Sequence, residues 1–372
     1  MSSPARRFSH ANPERERPRI LNYSEEPNEG WHWYRDELAP DALDWTFFYT
    51  RPRGWLGRLA KPRVRRYVEA SRVAWHAARQ RADLVVTHGP LLTWWFEEAA
   101  RVTRPSARHL AFAFNLVSLP RGPRALAMRR AFRHVDRFVV HSTVERALYS
   151  EYFEIPLERI DMVHWAVRAP TPSPEAVARG EQAYVCAIGG NGRDYATLMR
   201  AAAMTPHVPY VCVVRPENML GLKPPPNVHI ECNVGGQRAL DILFGSRFMV
   251  CPLASAEVPC GHVSLVNAMH LKKPLIITDS TGIHDYTVHG ETALRVAPRD
   301  PVSMANAVLQ LWEDAIFCAV LSRKAFAFAR EYCSEERMVG YVRRYLEEHG
   351  LLPTAASADP CERTPTLLAA RR

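Results

Sequence analysis

Residues 260–297 constrain the fold of this chain more than any other stretch. Gly261 lies in a turn and is followed by a helical pattern of apolar residues, which ends at Pro274 because proline cannot continue a helix. The apolar run over 275–278 is too short for a helix and is bounded by turn residues, so it predicts a buried strand. Helix and buried strand in alternation are typical of a parallel sheet.

The turn at Cys260, Gly261 and His262 precedes that helix. The first N–H groups of a helix have no partner within it, and the helix dipole places partial positive charge beside them. Such a terminus binds anions, and phosphate is the most common of them. The sequence therefore predicts a phosphate site at this turn.

The same segment resembles the donor-binding part of retaining glycosyltransferases of the two-Rossmann-domain (GT-B) type, close to glycosyltransferase family 4. The resemblance rests on Gly261 and the residues LVNAM, on KPLIITDSTGIHDY, and on the HGET that begins at His289. In the family this segment holds a nucleotide sugar. One departure is clear: the family carries two glutamates eight positions apart, where this chain has Pro259 and Asn267.

The resemblance implies an α/β fold of two Rossmann-like doubly wound domains that face each other across a cleft. A proline-bearing linker between two patterns of alternating strands and helices agrees with this fold. We expect a disordered lead over 1–18, an N-terminal acceptor-binding domain over 19–168, a hinge linker over 169–182, a C-terminal nucleotide-sugar-binding domain over 183–330, a C-terminal helix over 331–350 and a flexible tail over 351–372.

The net charge of +9 is carried almost wholly by arginine and favours acidic partners. These include nucleotide diphosphates, anionic lipid and nucleic acid. Nucleic acid is the least favoured of them, since no base-reading module accompanies the arginines. The chain also lacks CxxC spacings, an apolar core at its N-terminus and any run of about 18 apolar residues. We expect a cytoplasmic protein, either free or peripheral at the inner membrane face.

Residues 51–81 are dense in arginine and carry apolar and aromatic side chains among the charges. Such a basic amphipathic helix can lie on an anionic bilayer. The same pattern also describes a surface helix with one face buried and the other in water. A second basic run over 121–133 keeps the membrane interpretation open.

Candidate donor-binding residues follow the predicted strands of the second half. Arg193 lies in a glycine-rich turn at the position of the family's diphosphate-binding lysine, while Arg215 and Glu217 follow the next strand. Glu257 is placed to replace the absent family glutamate. The full expected set is Gly190, Asn191, Arg193, Arg215, Glu217, Glu257, Gly261, His262, Val263, Ser264 and Asn267.

In the first half, predicted strands end at His88, Asn115 and His141, and Thr143 is predicted to cap the helix that follows. In the family a histidine of this domain reaches the donor sugar. His88 and Asn115, with Arg193, are therefore the candidate catalytic residues, although a lone histidine is often only structural. Candidate acceptor contacts lie in the loop after the first strand, at Gly30, Trp31 and His32.

The implied reaction transfers a sugar from a nucleotide diphosphate to a hydroxyl of a polysaccharide, a lipid-linked glycan or another glycoconjugate. No Asp-x-Asp motif occurs, so we expect no metal, and no cofactor beyond a UDP- or GDP-sugar co-substrate. A nucleotide-sugar epimerase and a non-catalytic nucleotide-sugar-binding protein share this architecture and stay as alternatives. Glycogen-type phosphorolysis is disfavoured, because no signal for a cofactor-binding lysine is present.

Overall fold

The computed structural model describes residues 17–25, 37–38, 42–50, 62–116, 118–255 and 260–353. They form two α/β domains, each built on a six-stranded parallel sheet, which confirms the predicted fold class. The strands are β1 (Arg19–Ser24), β2 (Asp44–Tyr49), β3 (Leu84–His88), β4 (Arg108–Phe112), β5 (Arg137–Val140), β6 (Ile160–Met162), β7 (Val185–Ile188), β8 (Tyr210–Val214), β9 (Val228–Cys232), β10 (Phe248–Cys251), β11 (Leu275–Thr278) and β12 (Leu294–Val296).

Helices join most of the successive strands, as crossovers between parallel strands commonly do, whereas β8–β9 and β11–β12 are joined without one. The helices are α1 (Pro62–Gln80), α2 (Pro90–Thr103), α3 (Pro123–Phe132), α4 (Thr143–Phe153), α5 (Pro174–Arg179), α6 (Tyr195–Met204), α7 (Gly236–Gly245), α8 (His262–His270), α9 (Pro301–Glu313), α10 (Ala315–Tyr332) and α11 (Glu335–Glu348). Short 3-10 turns lie at Leu157–Arg159, Pro216–Met219 and Thr281–Ile283.

The N-terminal sheet has the strand order β2-β1-β3-β4-β5-β6. On one face, α1 and α2 bury small and aromatic side chains, including Val73, Ala77 and Phe96, against β1 and β3. On the same side, α3 and α4 enclose an aromatic cluster around Phe114. Burial of these apolar surfaces holds the helices on the sheet.

The C-terminal sheet has the order β12-β11-β10-β7-β8-β9. Its first strand, β7, pairs with β8 on one side and with β10 on the other, so the direction of winding reverses between β7 and β10. Helices α6 and α9 cover one face, and α7 and α8 cover the other, while α10 packs on the first cluster through Leu321 and on the second through Ala325 and Ala329. Ligands of doubly wound sheets bind at the carboxyl ends of strands beside such a reversal.

Helix α11 follows the C-terminal domain in sequence but packs on the N-terminal sheet. Met338, Val342 and Leu346 are buried in one cluster with Ile20 of β1 and Leu84 of β3. The last helix therefore completes the core of the first domain, so the chain crosses between the domains twice.

One local prediction needs correction. The predicted N-cap at Thr143 is wrong: Ser142 caps α4, its side chain accepting from the Glu145 N–H, while Thr143 contacts the other domain. The linker contains a helical turn, α5, capped by Ser173. Most of the predicted lead and tail lies outside the described residues.

Over the described part of the chain, no single helix has the length and apolar composition needed to cross a membrane. Helices α9 and α10 meet the test only as a pair, and that pair is bent by 101°.

Candidate active site

The loops after β7 and β10 meet where the winding of the C-terminal sheet reverses. Arg193 and Leu253 form an isolated antiparallel bridge between the two loops. The Asp194 N–H donates to the Pro252 carbonyl, and the Ala254 N–H donates to the Gly192 carbonyl, both at 2.9 Å. The reversal thus places the glycine-rich turn beside the residues that lead to α8.

Helix α8 begins beside this turn with no side-chain cap. Gly261 is its N-cap and has φ 91°, a left-handed conformation that favours glycine. The N–H groups of the first helical turn are not used within a helix. They are therefore available to an anion at the edge of the sheet.

The guanidinium of Arg193 lies between the turn and α8. It donates to the Asn191 carbonyl at 2.9 Å and to the Ser264 hydroxyl at 3.2 Å. Ser264 in turn donates to the Ile188 carbonyl at the end of β7, at 3.2 Å. The Nε of Arg193 is buried with no hydrogen-bond partner among the described residues. The structure thus brings the predicted arginine and the predicted helix terminus together.

Arg215 approaches the same turn from the end of β8. Its Nη1 donates to the Asn191 side-chain oxygen at 2.8 Å, and its side chain is exposed. The Asn218 amide donates to the Gly190 carbonyl at 2.9 Å and fixes the turn from the other side. Asn191 therefore contacts both arginines, one through its main chain and one through its side chain.

The glycines of the turn allow close packing of the arginine side chains. A Cβ at Gly189, whose φ is +126°, would lie 2.7 Å from Arg193 Nη2, and a Cβ at Gly190 would lie 2.6 Å from Arg215 Cδ. Glycine lets both side chains lie directly on the backbone. A Cβ at Gly192 would lie 2.9 Å from the Cys260 sulfur, a contact that sequence analysis did not anticipate.

The two arginines concentrate positive charge beside the glycine-rich turn. Within the described ranges, no carboxylate lies within 4.0 Å of Arg193 or Arg215. A guanidinium stays protonated in proteins and binds phosphate oxygens in pairs of parallel hydrogen bonds. Two such groups beside a helix N-terminus form a strong anion site.

The other predicted donor residues are divided between the turn and its surroundings. Val263 and Asn267 lie on α8, where the Asn267 amide donates to the Val263 carbonyl at 2.9 Å. His262 is buried, and its Nε2 lies 3.1 Å from the Gly282 carbonyl, so that nitrogen donates. Burial lowers the pKa of His262 to about 4, which makes it neutral near pH 7. Glu217 is exposed on the 3-10 turn after β8.

The two candidate catalytic residues of the N-terminal domain have partners of their own. His88 is buried at the end of β3, with its Nε2 at 2.7 Å from the side-chain oxygen of Asn22, and burial lowers its pKa to about 3. Asn115 donates to Glu145, a buried carboxylate at the start of α4. His88 is the last residue of β3 and Asn115 lies shortly after β4, so both are at the edge at which doubly wound domains bind ligands.

Glu145 is a residue that sequence analysis missed. It accepts from the Ser142 hydroxyl at 2.9 Å and from the His141 N–H at 3.1 Å, and it joins them to Asn115. The signal was present in the sequence, because Ser142 and Glu145 have the spacing of a capping box. Glu145 thereby fixes the ends of β4 and β5 relative to each other.

A seam of hydrogen bonds joins the two domains beside this region. The Asp285 carboxylate accepts from the Thr143 N–H at 2.8 Å and from its hydroxyl at 2.9 Å. The Tyr286 hydroxyl donates to the His141 carbonyl and accepts from the Trp165 N–H, both at 2.7 Å. The start of α4 is thus tied to the segment after β11.

The remaining candidate residues, Glu257 of the donor set and Gly30, Trp31 and His32 of the acceptor set, lie outside the described residues.

Part of the chain matches a known family model. Residues 215–314 match the family model described as glycosyl transferases group 1, a span that includes β9 to β12 and helices α7, α8 and α9. A search by sequence among curated proteins gave no match.

Solved structures share the whole two-domain arrangement. A glycosyltransferase from Rickettsia africae has 14% identity and a TM-score of 0.67, covering 90% of this chain and 99% of its own. HepE from Anabaena, in complex with UDP and glucose, has 15% identity and a TM-score of 0.67, covering 88% and 98%. Sucrose-phosphate synthase from Thermosynechococcus elongatus has 15% identity and a TM-score of 0.72, covering 89% and 99%. These likenesses establish the fold.

Proposed function

We propose that this chain, whose two domains have the fold of the GT-B glycosyltransferases, transfers a sugar from a nucleotide diphosphate to a hydroxyl group. The observation that carries the proposal is the pair of guanidinium groups, Arg193 and Arg215, that meet at Asn191 with no carboxylate partner among the described residues. The uncapped N-terminus of α8 lies against the same turn.

This arrangement fits the charge that develops during sugar transfer. The bond from the anomeric carbon to the diphosphate breaks, and its electron pair goes to the phosphate oxygen. The acceptor oxygen forms the new bond to that carbon, and its proton leaves. Positive groups held beside the diphosphate stabilise the leaving group most in the transition state, which is the condition for catalysis.

Two finer features belong to the proposal. The positive charge beside the diphosphate comes from arginines and a helix terminus, so we expect transfer to persist when a chelator removes divalent metal. The resemblance of residues 261–297 to retaining enzymes leads us to expect retention of the anomeric configuration. UDP-sugars are the first donors to test, since the HepE structures contain UDP and UDP-glucose.

A direct test measures nucleoside diphosphate release from a panel of UDP- and GDP-sugars, with and without EDTA. We expect Arg193→Ala to lower the rate by about 10²-fold or more, because it removes one preorganised charge beside the leaving group. Arg200→Ala is the matched control, since Arg200 is an exposed arginine on α6 of the same domain. Equal rates in wild type and Arg193→Ala would overturn the proposal.

A non-catalytic binding protein is the second candidate. It is favoured by Asn267, which replaces an acidic residue of the resembled family. The Asn267 amide donates to the Val263 carbonyl. In that case a nucleotide sugar raises the melting temperature, since ligands of the folded state stabilise it, but no nucleotide is released. Arg193→Ala would then weaken binding without any turnover to lose.

A further inference from the structure

Helix α1 presents apolar side chains on two opposite faces. One face is buried against the N-terminal sheet through Ala70, Val73, Ala74 and Ala77. The other consists of Val64, Tyr67, Val68 and Trp75, which recur at helical spacing and are 51, 48, 52 and 50% exposed. A surface helix of a globular domain normally carries polar residues on its outer side. The outer stripe of α1 therefore calls for an explanation.

The stripe continues onto α2 through stacked aromatic rings. Tyr67 meets Trp95 edge to face at 5.6 Å between ring centroids, and Trp95 stacks on Trp94 at 4.4 Å. A shallow cavity of about 360 Å³ opens beside these rings. We name Val64, Tyr67, Val68, Trp75, Trp94 and Trp95 together the α1–α2 face.

Three arginines border the α1–α2 face. Arg79 lies over the Trp75 ring at 5.2 Å, Arg124 lies over Trp94 at 5.7 Å, and Arg130 lines the cavity. In the described part of the chain, no carboxylate lies within 4.0 Å of these three guanidinium groups, whereas neighbours such as Arg72 and Arg129 form ion pairs. Positive charge without an acidic partner among the described residues is therefore concentrated around the exposed Trp75 ring and the half-buried Trp94 ring.

We propose that the α1–α2 face docks on the surface of a bilayer that contains anionic lipid. Tryptophan and tyrosine rings are favoured at the level of lipid headgroups, and arginines are attracted to lipid phosphates. Val64 and Val68 can enter the boundary with the acyl chains. Docking does not depend on the sugar transfer proposed above and is measured without it.

The position of this face would bring a docked membrane close to the carboxyl ends of the N-terminal strands. Helix α2 begins at Pro90, directly beyond the carboxyl end of β3, so Trp94 lies one turn from the edge at which this domain binds ligands. A membrane at the α1–α2 face would lie near that edge. If the proposed function holds, the acceptor class that fits this placement is a lipid-linked glycan.

Single-stranded nucleic acid is the other polyanion that binds arginines beside stacked aromatic rings. The α1–α2 face favours the bilayer, since half of its outer stripe on α1 is valine, and aliphatic side chains contribute little to base stacking. Binding of single-stranded DNA in place of vesicles is thus an outcome of the test that overturns the proposal.

The experiment is co-sedimentation of the full chain with vesicles of phosphatidylcholine alone or mixed with phosphatidylglycerol. We expect binding to the mixed vesicles only, and weaker binding as salt rises, because salt screens surface charge. Val68→Ser/Trp75→Ser should weaken binding by about tenfold or more, since two apolar anchors are lost. The control Leu220→Ser/Ile316→Ser, which removes two exposed apolar residues of the C-terminal domain, should bind as wild type.

A second pair of variants tests the charges. Arg79→Gln/Arg124→Gln should lower binding about fivefold per arginine, whereas Arg200→Gln/Arg323→Gln, at exposed positions of the C-terminal domain, should leave it unchanged. Thermal melts establish that all variants are folded. Equal binding to neutral and anionic vesicles, or equal effects of the two pairs, would refute docking by this face. Arg193→Ala should remain vesicle-bound, so a failure of the proposed activity is distinguished from a failure of docking.

Discussion

Glu145 is a buried carboxylate whose partners are neutral donors. It accepts from Asn115, Ser142 and His141, and no cation lies within ion-pair distance among the described residues. Burial raises its pKa to about 7, because desolvation of the charged form outweighs the hydrogen bonds that favour it. The neighbouring His141 shows the opposite effect: burial lowers its pKa to about 3 and keeps it neutral.

Glu145→Gln should change how stability depends on pH. The folded-state pKa of about 7 exceeds the ordinary value of 4.5, so the folded state binds more protons in this window. Stability from this group is complete below about pH 4.5 and falls as pH rises to about 7. The glutamine variant lacks that slope. Subtracting urea unfolding free energies of the variant from wild type at each pH cancels the histidines, and a pH-independent difference would contradict the assignment.

At the scale of elements, much of the C-terminal domain could be predicted from the sequence. Pro274 ends a helix, a short apolar run follows it, and the glycine turn before Arg193 indicates close approach of backbone and side chains. These are local signals. The contact of Arg193 with Ser264 joins residues 71 positions apart and depends on β7 and β10 being neighbours, which no local pattern specifies.

Helix α11 shows even more clearly that local sequence patterns do not specify long-range contacts. Its apolar stripe predicts a helix with one buried face but not which sheet receives that face. Leu346 is fully buried with β1 and β3, more than 250 positions earlier in the chain. The chain crosses between the domains a second time before α11, and this crossing decides which sheet receives its apolar face. It is a feature of the whole fold and not of the local sequence.

Leu346→Ala should therefore destabilise the first domain and not the second. The cavity is expected to cost about 2–5 kcal/mol. Hydrogen exchange should show faster exchange in β1, β3 and β4, with β7 to β12 protected as in wild type. Leu311→Ala is the matched control, because Leu311 is equally buried but packs in the C-terminal core, and the affected strands should be reversed. Equal loss of protection in both domains would contradict the assignment of α11 to the core of the first domain.

At the scale of the whole molecule, the two domains are joined by a seam as well as by the chain. Asp285 and Tyr286 follow β11 and hold the first residues of α4 and the segment after β6. His164 adds a donor to the Asp285 carbonyl at 3.0 Å. This short seam of hydrogen bonds lies beside the start of α4, where Glu145 contacts Asn115. A movement of the domains that separates α4 from the segment after β11 would therefore break these hydrogen bonds.

Tyr286→Phe should loosen the two domains relative to each other. It removes a buried hydroxyl that donates to the His141 carbonyl and accepts from the Trp165 N–H, and the loss of buried hydrogen bonds of this kind costs about 1–3 kcal/mol. We expect a larger radius of gyration by small-angle scattering and faster hydrogen exchange around His141 and Trp165.

Tyr210→Phe is the control that separates domain coupling from general destabilisation. The Tyr210 hydroxyl is also buried, but its partner, Thr205 at 2.7 Å, belongs to the same domain. This variant should lower the melting temperature while leaving the radius of gyration unchanged. If both tyrosine variants give the same scattering curve, the bonds of Tyr286 do not determine how the domains are held, and the chain connections alone must do so.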